Sequence, residues 1–99
     1  MIERHVYVRL HEQYRGQRDE MVAHTLEVFK TIPGVVSIKV GTPADDNASA
    51  AWDLCLMVGF ASIDDVEPYL VDPVHRKYVD EYLTPRSQVK KAWNFVVAG

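Results

Sequence analysis

Tyr69 and His75, with Asp72 and Pro73 between them, are the residues of this chain whose types and spacing can do chemistry. Asp72 and Pro73 read as the N-cap and first residue of a helix, a start worth about 0.5–2 kcal/mol through the cap alone. His75 then falls in the first turn, where the positive end of the helix dipole disfavours its imidazolium while the Asp72 carboxylate favours it. A histidine balanced in this way is neutral near pH 7 and suited to act as a general base. Tyr69, on the preceding helical turn, can donate its hydroxyl to a substrate carbonyl or enolate. Structural roles compete with each of these. Tyr69 shares a helical face with Val66 and Leu70 and suits a core, and His75 can be held by a backbone group.

Other chemistries are poorly supported. His5, His11, His24 and His75 show no local ligand spacing, so no metal and no cofactor is expected. Cys55 is the only cysteine and lies in an apolar run without a neighbouring base, which suits a small buried hydrophobe in a reducing compartment. The 99 residues carry a net charge of −3 with scattered Lys and Arg, which speaks against nucleic acid or a membrane surface as partner. There is no apolar run of membrane length, and the N-terminal residues lack the apolar core of a signal peptide; a cytoplasmic protein is the expectation.

The elements that must position Tyr69 and His75 follow from periodicity. Residues 2–10 alternate, with Ile2, Val6, Val8 and Leu10 on one side together with Arg4, and Glu3, His5, Tyr7 and Arg9 on the other. Residues 11–17 read as a loop. Met21, Val22, Leu26, Phe29 and Ile32 predict a helix over 18–32, stopped by Pro33 and Gly34. A strand over 35–40 is followed by a loop-like, mobile 42–50. Residues 52–60 form the strongest strand, with Trp52, Leu54, Leu56, Val58 and Phe60 on one face and a second face, Asp53, Cys55, Met57 and Gly59, more apolar than water contact requires. Ser62 and Asp65 resemble a capping box before a helical turn carrying Val66, Tyr69 and Leu70. The second helical piece directs Val74, Tyr78 and Tyr82 inward and stops at Thr84 and Pro85. Residues 89–97 close the chain as a strand, with Val89, Trp93, Phe95 and Val97 on one side.

With 47% hydrophobic and 25% charged residues, a chain of this length makes one domain spanning 1–99. The order β, α, β, β, broken α, β is the ferredoxin-like βαββαβ arrangement, an α+β fold with a four-stranded antiparallel sheet and helices on one face. A sheet apolar on both faces needs a second cover, and the simplest is the same face of another copy, giving a homodimer.

Met1, Ile2 and His5, the Ile32-Pro33-Gly34-Val35 helix exit, Trp52-Asp53-Leu54, then Phe60, Ser62 and the spacing Tyr69-x-x-x-Pro73-x-His75 together resemble the stress-responsive dimeric α/β barrel family, often called Dabb, over essentially the whole chain. Many members carry histidine where this chain has Asp72, so no role for a second histidine there is carried over. The resemblance implies a subunit whose sheet pairs with its twin's in a dimeric α/β barrel. One plant member is a polyketide cyclase that uses a Tyr and His pair matched here by Tyr69 and His75, in a pocket between sheet and helices. By that likeness His75 and Tyr69 are the catalytic candidates for aldol-type lyase or cyclase chemistry, with His5, Tyr7, Arg9 and Tyr78 as substrate-binding candidates. The facing of the first strand stays open, because Val6, Val8 and Leu10 on the helix side would move His5 and Arg9 into the dimer barrel. Two further readings remain: a non-catalytic dimer with a stress or structural role, and a cofactor-free monooxygenase of the related dimeric barrel type.

Overall fold

In the computed structural model, which describes residues 1–99, the alternating N-terminal stretch forms β1 (Ile2–Leu10), with Val8 and Leu10 sealed from solvent. A 3-10 turn at Glu12–Gln17 replaces the expected loop and feeds α1 (Arg18–Phe29), which buries Met21, Thr25 and Phe29. α1 is shorter than the apolar spacing suggests, because Ile32 reaches the core from the turn beyond it. That turn includes Gly34 at φ 87°, a left-handed conformation that glycine adopts without a Cβ clash. β2 (Ser37–Gly41) follows.

Of residues 42–50 only 42–45 are the loop that their composition suggests; the rest are helical. They contribute to α2 (Asp46–Ala51), which starts where the Asp45 carboxylate accepts the Ala48 N–H at 2.9 Å. Ala48, Ala50 and Ala51 then supply strong helix propensity to a segment of otherwise turn-forming residues. β3 (Leu54–Phe60) buries Leu54, Leu56, Val58 and Phe60 on one face, as its alternation requires.

The second helical half is segmented. A 3-10 turn at Ile63–Asp65 leads into α3 (Val66–Val71), and α4 (Pro73–Lys77) begins afresh at Pro73. Ser62 caps the first turn through the Asp64 N–H at 3.2 Å, with no reciprocal bond from Asp65, whose side chain is too short to complete the box. Beyond α4 the chain widens into π-helical turns at Tyr78–Leu83 and ends in a short helix, α5 (Thr84–Arg86). Pro85 does not stop the helix at Thr84; it sits in the first turn of α5, where its missing N–H costs nothing. β4 (Ser87–Val96) completes the chain.

The sheet order is β2-β3-β1-β4, and every neighbouring pair is antiparallel. All the helical cover that builds the core lies on one face, where Phe29 and Ile32 from the first half meet Val66, Tyr69, Tyr78 and Leu83 from the second over the buried rows of β1 and β3. This is the expected ferredoxin-like α+β fold. The opposite face is left open: Trp93 is 50% and Phe95 47% exposed there, with His5 and Tyr7 in ring contact with them. An apolar patch of that kind on a sheet face suits another protein surface better than water. No helix is long and apolar enough to cross a membrane.

Candidate active site between the sheet and the broken helix

Tyr69 and His75 meet because the helix breaks between them. Asp72 takes an extended backbone and its carboxylate accepts the N–H groups of Val74 at 2.8 Å and His75 at 3.4 Å, so α3 ends and α4 restarts in a new direction. The two rings come to 4.1 Å between centroids, tilted by 41°. Phe60 from β3 presents its ring to Tyr69 edge-on at 5.0 Å and Phe29 from α1 approaches His75 at 6.2 Å, which fixes both side chains from the sheet and helix sides.

Only the tautomer of His75 with a proton on Nδ1 fits its surroundings. Nδ1 lies 3.1 Å from the Leu70 carbonyl oxygen, which can only accept, so Nδ1 donates. The lone pair of the neutral ring is therefore on Nε2, which has no protein hydrogen bond. Burial lowers the His75 pKa from the ordinary histidine value; the Leu70 bond opposes this, Arg76 and Arg4 add to it, and Asp72 opposes it weakly. The balance between helix start and Asp72 expected from sequence is thus overridden by desolvation, which also leaves the ring neutral. Burial likewise pushes the Tyr69 hydroxyl well above the tyrosine range, against a smaller opposing effect of Arg4, so Tyr69 stays a proton donor.

Both side chains line a cavity of about 260 Å³ between sheet and helices, floored by Val6 and Leu56. That is a little below the usual range of ligand sites, which run upward from about 300 Å³. Tyr78 lines the same cavity, its hydroxyl bonded to Thr25 at 2.6 Å and its pKa pushed up to about 12 by burial, with the Thr25 bond opposing. Three of the six site candidates, Tyr69, His75 and Tyr78, therefore come together.

His5, Tyr7 and Arg9 do not join them. The register of β1 settles the facing left open by its sequence: Arg4, Val6, Val8 and Leu10 point to the helices, so His5, Tyr7 and Arg9 lie across the sheet from His75. A substrate held by His75 cannot touch them within one subunit. On the open face His5 places Nε2 2.6 Å from Glu3 and Nδ1 3.2 Å from the Tyr7 hydroxyl. Arg9 donates to the Ser49 carbonyl at 2.6 Å. The physical reason is the two-residue repeat of a strand, which sends the buried Val8 and Leu10 and their polar neighbours to opposite sides.

Sequence reasoning missed Arg4 as a cavity residue, although an arginine in register with Val6, Val8 and Leu10 is the signal that finds it. It also missed Asp53. That carboxylate is fully buried, accepts the Leu10 N–H at 2.7 Å and pairs with Arg18, tying the end of β1 to the start of α1 and β3. No group of three or more His, Cys, Asp or Glu side chains is placed to hold a metal ion.

Solved structures share this architecture at low identity. A Dabb-family protein of Mesorhizobium loti with a ferredoxin-like fold is 16% identical with a TM-score of 0.80, over 99% of this chain and 97% of its own. A dimeric ferredoxin-like protein of unknown function from Thermobifida fusca is 18% identical, with a TM-score of 0.79 over 97% and 90%. A hydroxynitrile lyase from Passiflora edulis is 15% identical, with a TM-score of 0.79 over 98% and 93%. At such identities the likeness establishes the fold and no more. No curated protein matches the chain. The model of the stress responsive A/B barrel domain, Dabb, matches residues 2–92, and the chain belongs to that family.

Proposed function

We propose that this protein is a homodimer, joined through its open sheet face, that binds a small carbonyl compound in the cavity between sheet and helices and catalyses aldol-type lyase or cyclase chemistry there. The observation that carries this reading is the pairing of a neutral His75, its Nε2 lone pair free, with a protonated Tyr69 on the wall of one cavity. Nε2 takes the proton from the carbon beside the carbonyl, and the electron pair of that C–H bond moves onto the carbonyl oxygen as an enolate. Tyr69 donates its hydrogen bond to that oxygen. The enolate carbon then attacks a second carbonyl of the same molecule to form the C–C bond, and the proton on Nε2 returns to the new alkoxide. The lyase direction is the reverse of the same steps. A cytoplasmic location goes with this reading, and no cofactor is required for it.

The dimeric structures among the solved neighbours and the uncovered aromatic face support the homodimer. The passionfruit lyase supports a lyase at the level of fold only. A non-catalytic dimer would need no open volume beside both side chains, and that volume favours the catalytic reading. The first test is NMR of the His75 ring on addition of 2-octanone as a carbonyl probe. The ring resonances are expected to shift in saturable fashion, and unchanged resonances at millimolar probe would count against the site. Oxygen uptake with bound ligand would instead identify a cofactor-free monooxygenase.

A further inference from the structure

The residues lining the Tyr69 and His75 cavity include Arg4, Arg76, Lys90 and Lys91 and no Asp or Glu, in a chain whose net charge is −3. Two of these cations are already engaged. Arg76 pairs with Asp80 at 2.5 Å, and Lys90 donates to the Thr84 hydroxyl at 2.6 Å. Lys91 stands opposite Tyr7 in the ladder, on the open-face side of β4. Arg4 is different. It rises from the inner face of β1 beside Val6, no carboxylate pairs with it, and its one side-chain bond goes from Nη1 to the neutral Asn94 oxygen at 3.0 Å. That bond holds the guanidinium from the β4 side and leaves its other N–H groups without a protein acceptor. The remaining lining is largely apolar, with Phe29, Leu56, Val79 and Leu83 among it. A partly buried planar cation without a counter-ion at the edge of an apolar cavity matches an amphipathic acid, since guanidinium and carboxylate pair through two parallel hydrogen bonds.

We infer that the cavity selects carboxylic acids with an apolar tail, the carboxylate held by Arg4 and the tail lying along Leu56, Val79 and Leu83. This rests on the reading of the cavity as a ligand site and deepens it: the substrate class becomes keto acids, oriented by Arg4 so that the carbonyl faces Tyr69 and His75. Electrostatics agree with an anion in this place. Burial lowers the Lys90 pKa and Arg76 lowers it further, against Asp80, and Arg4 acts on both His75 and Tyr69. A bound carboxylate relieves that mutual repulsion of cations.

The test compares octanoate with octanamide, two probes of one shape that differ in charge, by calorimetry on the intact protein, Arg4→Gln and Arg4→Lys. Octanoate is expected to bind the unaltered protein about tenfold tighter than octanamide, in a salt-sensitive manner. Arg4→Gln should bring octanoate down to the octanamide level with a much smaller change for octanamide, whose carbonyl loses only a neutral hydrogen bond, and Arg4→Lys should keep part of the preference. Equal binding of the two probes to the unaltered protein, or an equal loss of both in a folded Arg4→Gln, overturns the assignment of Arg4 while leaving the cavity as a ligand site. Binding of neither probe overturns both.

Discussion

His75 titrates in a direction that can be measured. Its folded pKa lies below the unfolded value of about 6.5, so the unfolded chain binds the proton more readily. The stability contributed by burying a neutral His75 is fully present above about pH 6.5 and is lost as pH falls through the lowered folded value. Denaturant midpoints between about pH 8 and about pH 5 should therefore fall less steeply in His75→Gln than in the unaltered protein. Parallel curves would place the titration elsewhere. The residue types of this site were legible in the sequence, because Asp72 and Pro73 announce a helix start and so put His75 in its first turn. Burial as the dominant influence on His75 was not, since it comes from residues remote in sequence such as Phe29. Alternation alone put Arg4 on the same side of its strand as Val6, Val8 and Leu10 but left open which side meets the helices, and its closeness to Tyr69 depends on how α3 packs across the sheet.

Among the elements, two acidic residues fix junctions, Asp72 at the break between α3 and α4 and Asp53 where β1, α1 and β3 meet. Asp72 caps α4, and Asp72→Ala should cost about 0.5–2 kcal/mol in urea unfolding while loosening the ring contact of His75 with Tyr69. Asp53 holds the junction of β1, α1 and β3. Removing a fully buried partner of Arg18 by Asp53→Ala should cost about 3–5 kcal/mol, and a loss below about 1 kcal/mol would show that the pair carries little. Period-two and period-three-to-four patterns revealed all four strands and both helical halves. They failed at α2, where the composition of residues 42–50 reads as loop and a single cap at Asp45 with three alanines decides otherwise. They also failed at Thr25, a polar residue buried on α1 because its hydroxyl meets that of Tyr78. The π-helical turns at Tyr78–Leu83 left no trace in residue spacing, as widened turns of this kind arise from packing.

At the scale of the molecule, helices cover one face of the sheet and leave Trp93 and Phe95 half exposed on the other. Light scattering at micromolar concentration should give the mass of two chains, and Trp93→Glu should give one, since a charge at the centre of a face-to-face sheet contact leaves it unpaired and desolvated. A stable monomer of the unaltered chain would contradict the reading of the open face as the dimer contact. His5, Tyr7 and Arg9 lie on that face, across the sheet from the Tyr69 and His75 cavity of their own subunit. The need for a second cover was visible in β3, whose second face carries Cys55 and Met57, whereas the separation of His5 from His75 required the three-dimensional register.

Proton abstraction beside a carbonyl at Tyr69 and His75 is tested most directly by incorporation of deuterium into 2-octanone in heavy water, followed by NMR. Exchange next to the carbonyl should exceed the buffer rate with the unaltered protein. It should fall to the buffer rate with His75→Ala and by about 100-fold with Tyr69→Phe, while both variants keep their fold. Exchange at the buffer rate with the unaltered protein, or undiminished exchange with folded His75→Ala, would contradict it.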